Sequence, residues 1–426
     1  MNQKERKCAF TIVAKNYIGL AKTLEVSFKE HNPECDFWII VSDEVPNSIL
    51  QEYDNIIQAH GILSIPENTW IECSFKYNVT EFATYIKPKS IEYLFDKGYQ
   101  KVIYLDPDIY CFSSLDPVFD LLDKYKMIVS PHILTMEEET YSGDLTENIY
   151  LGMGIFNFGF FAVSDGIKTR KLLRWWDRVL MEAAFMDSYR YTATDQKWMN
   201  YLPMFFQSED LYISHHKGID AATWNFYERE FIIQGDSIYV KNRIKDDEIA
   251  EPLIFVHFSG YNYSELSSGT VKHKALSHEY EDLKIIFDKY IQGLNKSNID
   301  KYLKFTYSYN TYTDGCPITS INRRIYRRLL MEGKHMDNPF DSDGNFYNQM
   351  KKSRLLTKNK ASFATKVANT NSRANSRYEK IIDELLRRLL NVIGIDKYDS
   401  LRRYLINRLQ PENQIFLYDK ESYKNL

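Results

Sequence analysis

The sequence predicts an α/β fold: a mainly parallel sheet flanked by helices over residues 1–295, followed by a mostly helical extension over 296–426. Three observations predict it. Short apolar runs alternate with segments of helical spacing throughout the first part, which is the pattern of parallel strands joined by crossover helices. Beyond residue 295 the strand-like runs thin out and arginine-rich helical stretches take over. Hydrophobic residues make up 44% of the 426 residues, enough for a large core, and the length suits about two or three domains.

The elements follow in order. Residues 8–14 (CAFTIVA) read as a buried first strand rather than a signal peptide, because the apolar run is short. Leu20, Leu24 and Phe28 recur at i, i+4 and i+8, so 17–30 is a helix. Residues 37–41 (FWIIV) are a second strand. Residues 80–97 are helical with a break before Pro88, since the residue preceding a proline disfavours the helical region, and Gly98 closes the stretch. Strands are expected at 101–105, 127–130, 156–163 and 253–258, with helices at 117–124 and 165–186. In the extension, 318–333 and 379–409 are expected to be helical. Between them 338–376, rich in Asn, Ser, Lys and Gly, reads as a flexible linker or long loop. No internal repeat is present.

Five cysteines without a CxxC pair argue against a disulfide framework or a zinc finger and suit a reducing cytoplasm. No segment approaches the roughly 18 uninterrupted apolar residues of a membrane span. Residues 301–426 hold 24 Lys+Arg against 13 Asp+Glu, a net of +11, whereas residues 1–300 hold 30 against 45, a net of −15. Ile381, Leu385, Leu389 and Ile393 fall on one helical face beside Arg387 and Arg388. Together with the pairs Arg323-Arg324, Arg327-Arg328 and Arg402-Arg403, this face suits either packing, domain or oligomer contacts, or peripheral contact with an anionic membrane at the inner face. Nucleic acid is not expected as a partner, because the basic region carries no recognised binding module.

The strongest chemical signal is Asp106-Pro107-Asp108. An apolar strand, KVIYL, delivers two carboxylates one residue apart at its C-terminal end, where ligands collect in open α/β sheets. Two such carboxylates can hold a hard divalent cation through oxygen, and the cation can neutralise a diphosphate leaving group. His215 and His216 are adjacent, would point to opposite faces of a strand, and are read as incidental.

The stretch FATYIKPKSIEYLFDKGYQKVIYLDPD (82–108) resembles the segment leading into the Asp-x-Asp motif of glycosyltransferase family eight and its bacterial relatives. Three further elements follow in that family's order. Asn157-Phe158-Gly159 is similar to its N-x-G strand, Thr194-Asp195-Gln196 to its D-Q helix start, and His257-Phe258-Ser259-Gly260 to the first part of its H-x-x-G-x-x-K-P-W motif. The family's Lys-Pro-Trp is missing, and the chain runs on as Tyr261-Asn262-Tyr263; Lys272 or Lys274 are candidates to replace the lysine.

The resemblance implies a GT-A-type, Rossmann-like catalytic domain over 1–295 and a hexosyltransferase-type activity. A sugar would move from a nucleotide-diphosphate donor, UDP-linked, to a saccharide, lipid-linked or protein acceptor with retention of anomeric configuration. It implies a metal site of Asp106, Asp108 and His257 for Mn2+ or Mg2+, and catalytic roles for Asp195 and Lys87. Donor contacts would come from Ala14, Asn16, Tyr17, Lys87, Asp106, Asn157, Gly159, Gln196 and Gly260, with Tyr17 stacking on the base. A carboxylate at position 195 is equally the type of a helix N-cap, with Thr194 or Asp195 as the cap. Trp224, Asn225 and Arg229 lie in a polar-aromatic segment and are candidates for donor or acceptor contacts.

Rival readings remain. A dehalogenase-type phosphatase also carries Asp-x-Asp at a strand end, though on its first strand. A non-catalytic carbohydrate-binding module would suit the 32 Tyr and 25 Phe but has no use for the carboxylate pair. A nucleotidyltransferase would need a Gly-rich loop after the first strand, where Lys15-Asn16-Tyr17-Ile18 stands instead. No GxGxxG follows a strand, so dinucleotide binding has no support.

Overall fold

The computed structural model describes residues 6–135, 147–244, 249–273, 280–336, 338–357 and 376–418. They fall into two compact units, one of Met1–Pro66 with Val79–Tyr307, the other of Glu67–Asn78 with Ser308–Leu426. The first unit therefore runs past position 295, and a short segment from early in the chain belongs with the C-terminal residues.

A seven-stranded sheet organises the first unit. β1 (Lys7–Val13) is buried from Cys8 onward, which explains its apolar run without alternation. It pairs in parallel with β2 (Asp36–Val41) and β4 (Lys101–Leu105), so Phe10 lies opposite both Trp38 and Tyr104. β3 (Ile56–Gln58) extends the parallel set beyond β2. On the other side β7 (Phe156–Ser164) is antiparallel to β4 and to β6 (Met127–Pro131), and β8 (Leu211–Ile213) adds in parallel to β6. The order is β8-β6-β7-β4-β1-β2-β3. The sheet is mixed and mostly parallel, and all nine residues of β7 are buried, which places that strand at the centre of the core.

The strand expected at 253–258 does not join this sheet. It forms β10 (Phe255–His257), which pairs with β5 (Ile109–Cys111) and β9 (Ala221–Ala222) in a separate three-stranded sheet. A short buried apolar run says that a strand exists but not which sheet it enters.

α1 (Ile18–His31) buries Leu20, Leu24 and Phe28, as its spacing requires. The 80–97 stretch is two helices, Val79–Tyr85 and Lys87–Asp96, broken at Ile86. Pro88 lies in the first turn of the second, where its missing N–H costs nothing. Helices at Lys284–Lys296 and Ile299–Leu303 close the unit.

The second unit is built around Phe75, from the helix Glu67–Lys76. Its ring lies 4.9 Å from Tyr326 and Phe340 and 5.4 Å from Phe346. The buried Arg323 donates to the carbonyls of Phe75 (2.6 Å), Tyr77 (2.7 Å) and Tyr309 (2.7 Å), placing a cation at the C-terminus of that helix. Arg324 and Arg327 face the buried Glu412 at 3.6 and 3.2 Å. Of the two readings left open for these pairs, packing holds for three of the four arginines: Arg323, Arg324 and Arg327 are used internally, and Arg328 bonds Glu332, the residue that follows its helix, Ser320–Met331. The linker reading of 338–376 is corrected in part. Asn345–Lys352 is a helix that buries Phe346, Tyr347 and Met350; residues 358–375 lie outside the described residues. Ser376–Arg408 is helical with a non-helical Gly394, and Ile381, Leu385, Arg387 and Arg388 are exposed. No helix among the described residues is long and apolar enough to cross a membrane.

Gly19 on α1 faces the helix Ile299–Leu303, and a Cβ there would lie 2.8 Å from the Cα of Ile299. Gly19→Ala should lower unfolding stability by about 1–3 kcal/mol, outweighing the roughly 1 kcal/mol that alanine gains in an open helix. Urea titration measures this; unchanged stability would show that the two helices part easily.

Candidate active site

β4 ends in a β-turn in which the Ile109 N–H donates to the Asp106 carbonyl (3.0 Å), with Pro107 at the position that proline favours. The turn presents Asp106 and Asp108 and leads straight into β5. Two backbone hydrogen bonds fasten it to distant segments. The Asp106 N–H donates to the Gly159 carbonyl on β7 (2.7 Å), and the Phe258 N–H donates to the Asp108 carbonyl (2.8 Å). The second sets His257, which lies opposite Ile109 in the β10–β5 register, against both carboxylates.

His257 Nε2 lies 3.1 Å from Asp108 Oδ1 and 3.8 Å from Asp106 Oδ2. One donor atom from each of the three residues falls within 4.8 Å of the others, which makes them a candidate metal site. The residues fit a cation. Among the described residues neither ring nitrogen of the buried His257 makes an aligned hydrogen bond, short as its distance to Asp108 is. Two carboxylates and an imidazole also suit a divalent ion such as Mn2+. Gly159 leaves the room: a Cβ there would lie 2.4 Å from His257 Cε1 and 2.8 Å from Asp106 Oδ2.

Burial pulls the pKa of His257 down, but Asp108, Asp220 and Asp106 overcome it and hold it well above the usual histidine value. Burial pushes Asp108 up, yet His257 and the Tyr263 hydroxyl bring it below the ordinary carboxylate value. The Tyr263 hydroxyl donates to Asp108 Oδ2 at 2.7 Å. Its own pKa is raised well above the ordinary tyrosine value, first by burial and then by Asp108. Tyr104 donates to Asp106 Oδ1.

A second charged pair lies beside Gly159. Lys87 Nζ is 3.1 Å from Asp195 Oδ2, both side chains are buried, and the ammonium donates to the Phe158 carbonyl at 2.9 Å. Lys87 also lies over the Tyr104 ring at 4.4 Å. Burial pushes Asp195 up and Lys87 pulls it back, leaving it raised. The N-cap alternative for this position does not hold. No helix starts at Asp195, whose carboxylate faces Lys87, and the turn leads into a short 3-10 helix, Trp198–Tyr201. Thr194, a β-branched residue, sits at φ 46°, a rarely adopted conformation that stores strain beside Asp195.

The other expected donor residues divide. Asn157 is buried and its Oδ1 accepts from the Gly159 N–H at 2.8 Å. Gln196 spends its amide on backbone, accepting from the Phe158 N–H and donating to the Met153 carbonyl, both at 3.2 Å. Ala14 is buried and Asn16 half-buried after β1, while Tyr17 is exposed and meets Tyr263 edge-on at 5.9 Å. Gly260 has φ 83° two residues beyond Phe258 and packs against His273. Lys272 is exposed, and Lys274 lies outside the described residues.

Trp224 sits edge-on to His257 at 5.2 Å and to His132 at 5.5 Å. Asn225 and Arg229 are corrected: both are fully buried and bound to backbone, Asn225 to the carbonyls of His132 and Asp220, Arg229 to those of Lys217 and Ile219. They brace the segment and are closed to a ligand. Sequence reasoning missed Tyr263, Tyr104, Asp220 and His132. Counting along H-x-x-G-x-x-K from His257 places Tyr263 at the lysine; Asp220 lies inside the polar-aromatic segment 218–229 without standing out in it, and His132 left no comparable signal.

An α/β domain that sets two carboxylates at a strand end against an imidazole from a second sheet is laid out to hold a divalent cation where ligands collect. Residues 8–263 match the model of Glycosyl transferase family 8, and the chain belongs to this family, which retains anomeric configuration. It is 20% identical over 256 residues to the uncharacterized protein YfnF of Bacillus subtilis (strain 168), covering 59% of this chain and 80% of that one. Among solved structures it is similar to the galactosyltransferase LgtC in complex with donor and acceptor sugar analogues (TM-score 0.41, 16% identity, 68% of this chain and 95% of that one). It is also similar to the glycosyltransferase GlyE of Streptococcus pneumoniae TIGR4 (TM-score 0.38, 13% identity, 72% and 67%). Family membership sets aside the phosphatase and binding-module readings.

A cation on His257 requires a neutral imidazole. The raised His257 pKa favours the protonated ring in the metal-free site, and that proton must leave as the cation binds. Mn2+ affinity should therefore rise with pH, with protons released on binding. Calorimetric titration in buffers of different ionisation enthalpy measures this; binding without proton release at neutral pH would place His257 outside the cation's shell.

Proposed function

We propose that this family 8 enzyme transfers a sugar from a UDP-linked donor to an acceptor hydroxyl, using Mn2+ or Mg2+ held by Asp106, Asp108 and His257. The observation that carries the reading is the meeting of these three residues within 4.8 Å at the end of β4. When bound, the cation supplies charge neutralisation for the diphosphate as it leaves. The chain's own residues do the rest. Ala14, Asn16 and Tyr17 border the nucleotide, with the Tyr17 ring free on one side to stack. Asn157 and Gly159 line the donor sugar. Asp195, kept in place by Lys87, presents negative charge to a sugar ring that becomes positive in the transition state.

We also propose that an anionic membrane surface presents the acceptor. What supports this are the two helical runs of Ser376–Arg408 on either side of the non-helical Gly394: the first exposes Ile381 (49%) and Leu385 (59%) with Arg387 and Arg388, the second Ile395 (65%) with Arg402 and Arg403, so each presents an apolar and basic face. Such a face gains both apolar burial and attraction to anionic lipid, at about 1 kcal/mol per basic residue near the surface.

A donor screen read by nucleotide release, with and without Mn2+, tests the activity. Release should need the cation, and Asp108→Ala should remove most of it. Asp195→Asn should lower kcat by about 100-fold or more with donor affinity little changed. Full turnover in excess chelator would overturn the metal role. Co-sedimentation with liposomes tests the second proposal: binding to anionic vesicles should fade with salt, and equal binding to neutral vesicles would overturn it.

A further inference from the structure

His257 has two ring nitrogens, and the Asp-x-Asp turn accounts for only one. On the Nδ1 side stands Asp220, whose Oδ1 lies 3.6 Å away. Asp220 is 0% exposed, and among the described residues neither of its carboxylate oxygens has a hydrogen-bond partner. A carboxylate in that state is costly to bury and calls for a cation or a donor. Arg229, also fully buried, attracts it, but the guanidinium is anchored through Nη1 to the carbonyls of Lys217 and Ile219, both at 2.7 Å, and its Nε faces Glu228 Oε1 at 3.8 Å. His257 is the group close enough to take a hydrogen bond with a small shift.

The backbone holds Asp220 in place. It occupies φ 59°, a left-handed conformation that Asp and Asn tolerate better than other side chains. Asn225 clamps the turn, donating to the Asp220 carbonyl at 3.0 Å and accepting from the Ala222 N–H at 2.8 Å. β9 begins at the next residue, and Ala222 pairs with His257 in parallel register. Strand pairing thus fixes the distance between carboxylate and imidazole.

We propose that Asp220 is the positioning residue of the metal-site histidine: its carboxylate accepts the Nδ1–H of His257 and so turns the Nε2 lone pair toward Asp106 and Asp108. A neutral imidazole carries one N–H, and the carboxylate decides which nitrogen bears it. The same contact makes Nε2 a stronger electron donor. The inference rests on the reading that Asp106, Asp108 and His257 hold the divalent cation.

The test is direct Mn2+ binding to the full chain without donor or acceptor, read from the free-ion EPR signal, for the wild type, Asp220→Asn and His257→Gln, with melting curves alongside. Asn keeps the shape of the side chain and its tolerance of the left-handed backbone while removing the charge. Asp220→Asn should bind Mn2+ about 10–100-fold more weakly while melting as a folded protein, and His257→Gln should bind at least as weakly. If His257→Gln weakens binding and folded Asp220→Asn does not, the positioning role is overturned and the metal site stands. If His257→Gln binds like the wild type, the metal-site reading fails and this inference with it. Should Asp220→Asn not fold, long-range 1H–15N spectra of the wild type loaded with diamagnetic Cd2+ decide, with the His257 signals assigned by their loss in His257→Gln. A proton on Nδ1 supports the role, and a proton on Nε2 overturns it.

Discussion

Two backbone hydrogen bonds hold three distant parts of this chain at one point: Asp106 N–H to the Gly159 carbonyl, and Phe258 N–H to the Asp108 carbonyl. The first binds the Asp-x-Asp turn to the strand that runs antiparallel through the middle of the sheet. The second binds it to the loop after His257. Neither bond involves a side chain, so the convergence is a property of strand register. What the side chains decide is whether the space at that point stays open. Gly159 is the residue where they must not intrude, because any Cβ would collide with His257 and Asp106.

The cost of such a site is buried charge. Asp108, Asp195 and Asp220 are all buried or nearly so, and each has a cationic group facing it: His257, Lys87 and the Arg229–His257 pair. In each case burial pushes the carboxylate pKa up and the cation pulls it down. Removing one partner from such a pair is far more damaging than removing both, because the survivor is left charged without compensation. The three pairs are also linked, since Asp106 acts on Asp195 and Asp220 alike. The arrangement is one electrostatic unit drawn from the turn after β4, the start of the helix Lys87–Asp96, the turn at Asp195, the residue before β9, and β10.

The sequence showed some of this and hid the rest for identifiable reasons. The parallel core was legible because buried strands such as CAFTIVA and KVIYL are apolar without alternation, and α1 because Leu20, Leu24 and Phe28 keep helical spacing. The antiparallel course of β7 was not, since a fully buried strand reads the same in either direction. Asp106, Asp108 and His257 were legible through spaced motifs. Asp220 was not, because its role depends on the pairing of two-residue β9 with β10, which leaves no periodic trace. Arg323, Arg324 and Arg327 left packing and a solvated face both open for a related reason. Arginine pairs on an amphipathic helix fit either until carbonyls and a carboxylate from elsewhere in the chain are found against them.

The departure at Tyr263 follows the same electrostatic logic. A lysine there would set an ammonium beside Asp108, leaving the metal donors with less net negative charge. The phenol instead donates a neutral hydrogen bond at 2.7 Å to one Asp108 oxygen and leaves the other facing His257. With the imidazole neutral, Asp106, Asp108 and His257 then carry two negative charges among them, which matches a divalent cation. Because Tyr17 meets the Tyr263 ring edge-on, the hydroxyl on Asp108 and the exposed ring at the end of β1 are coupled by direct contact. The position that departs from the family pattern is therefore also the one that links the end of the first strand to Asp108 of the candidate metal site.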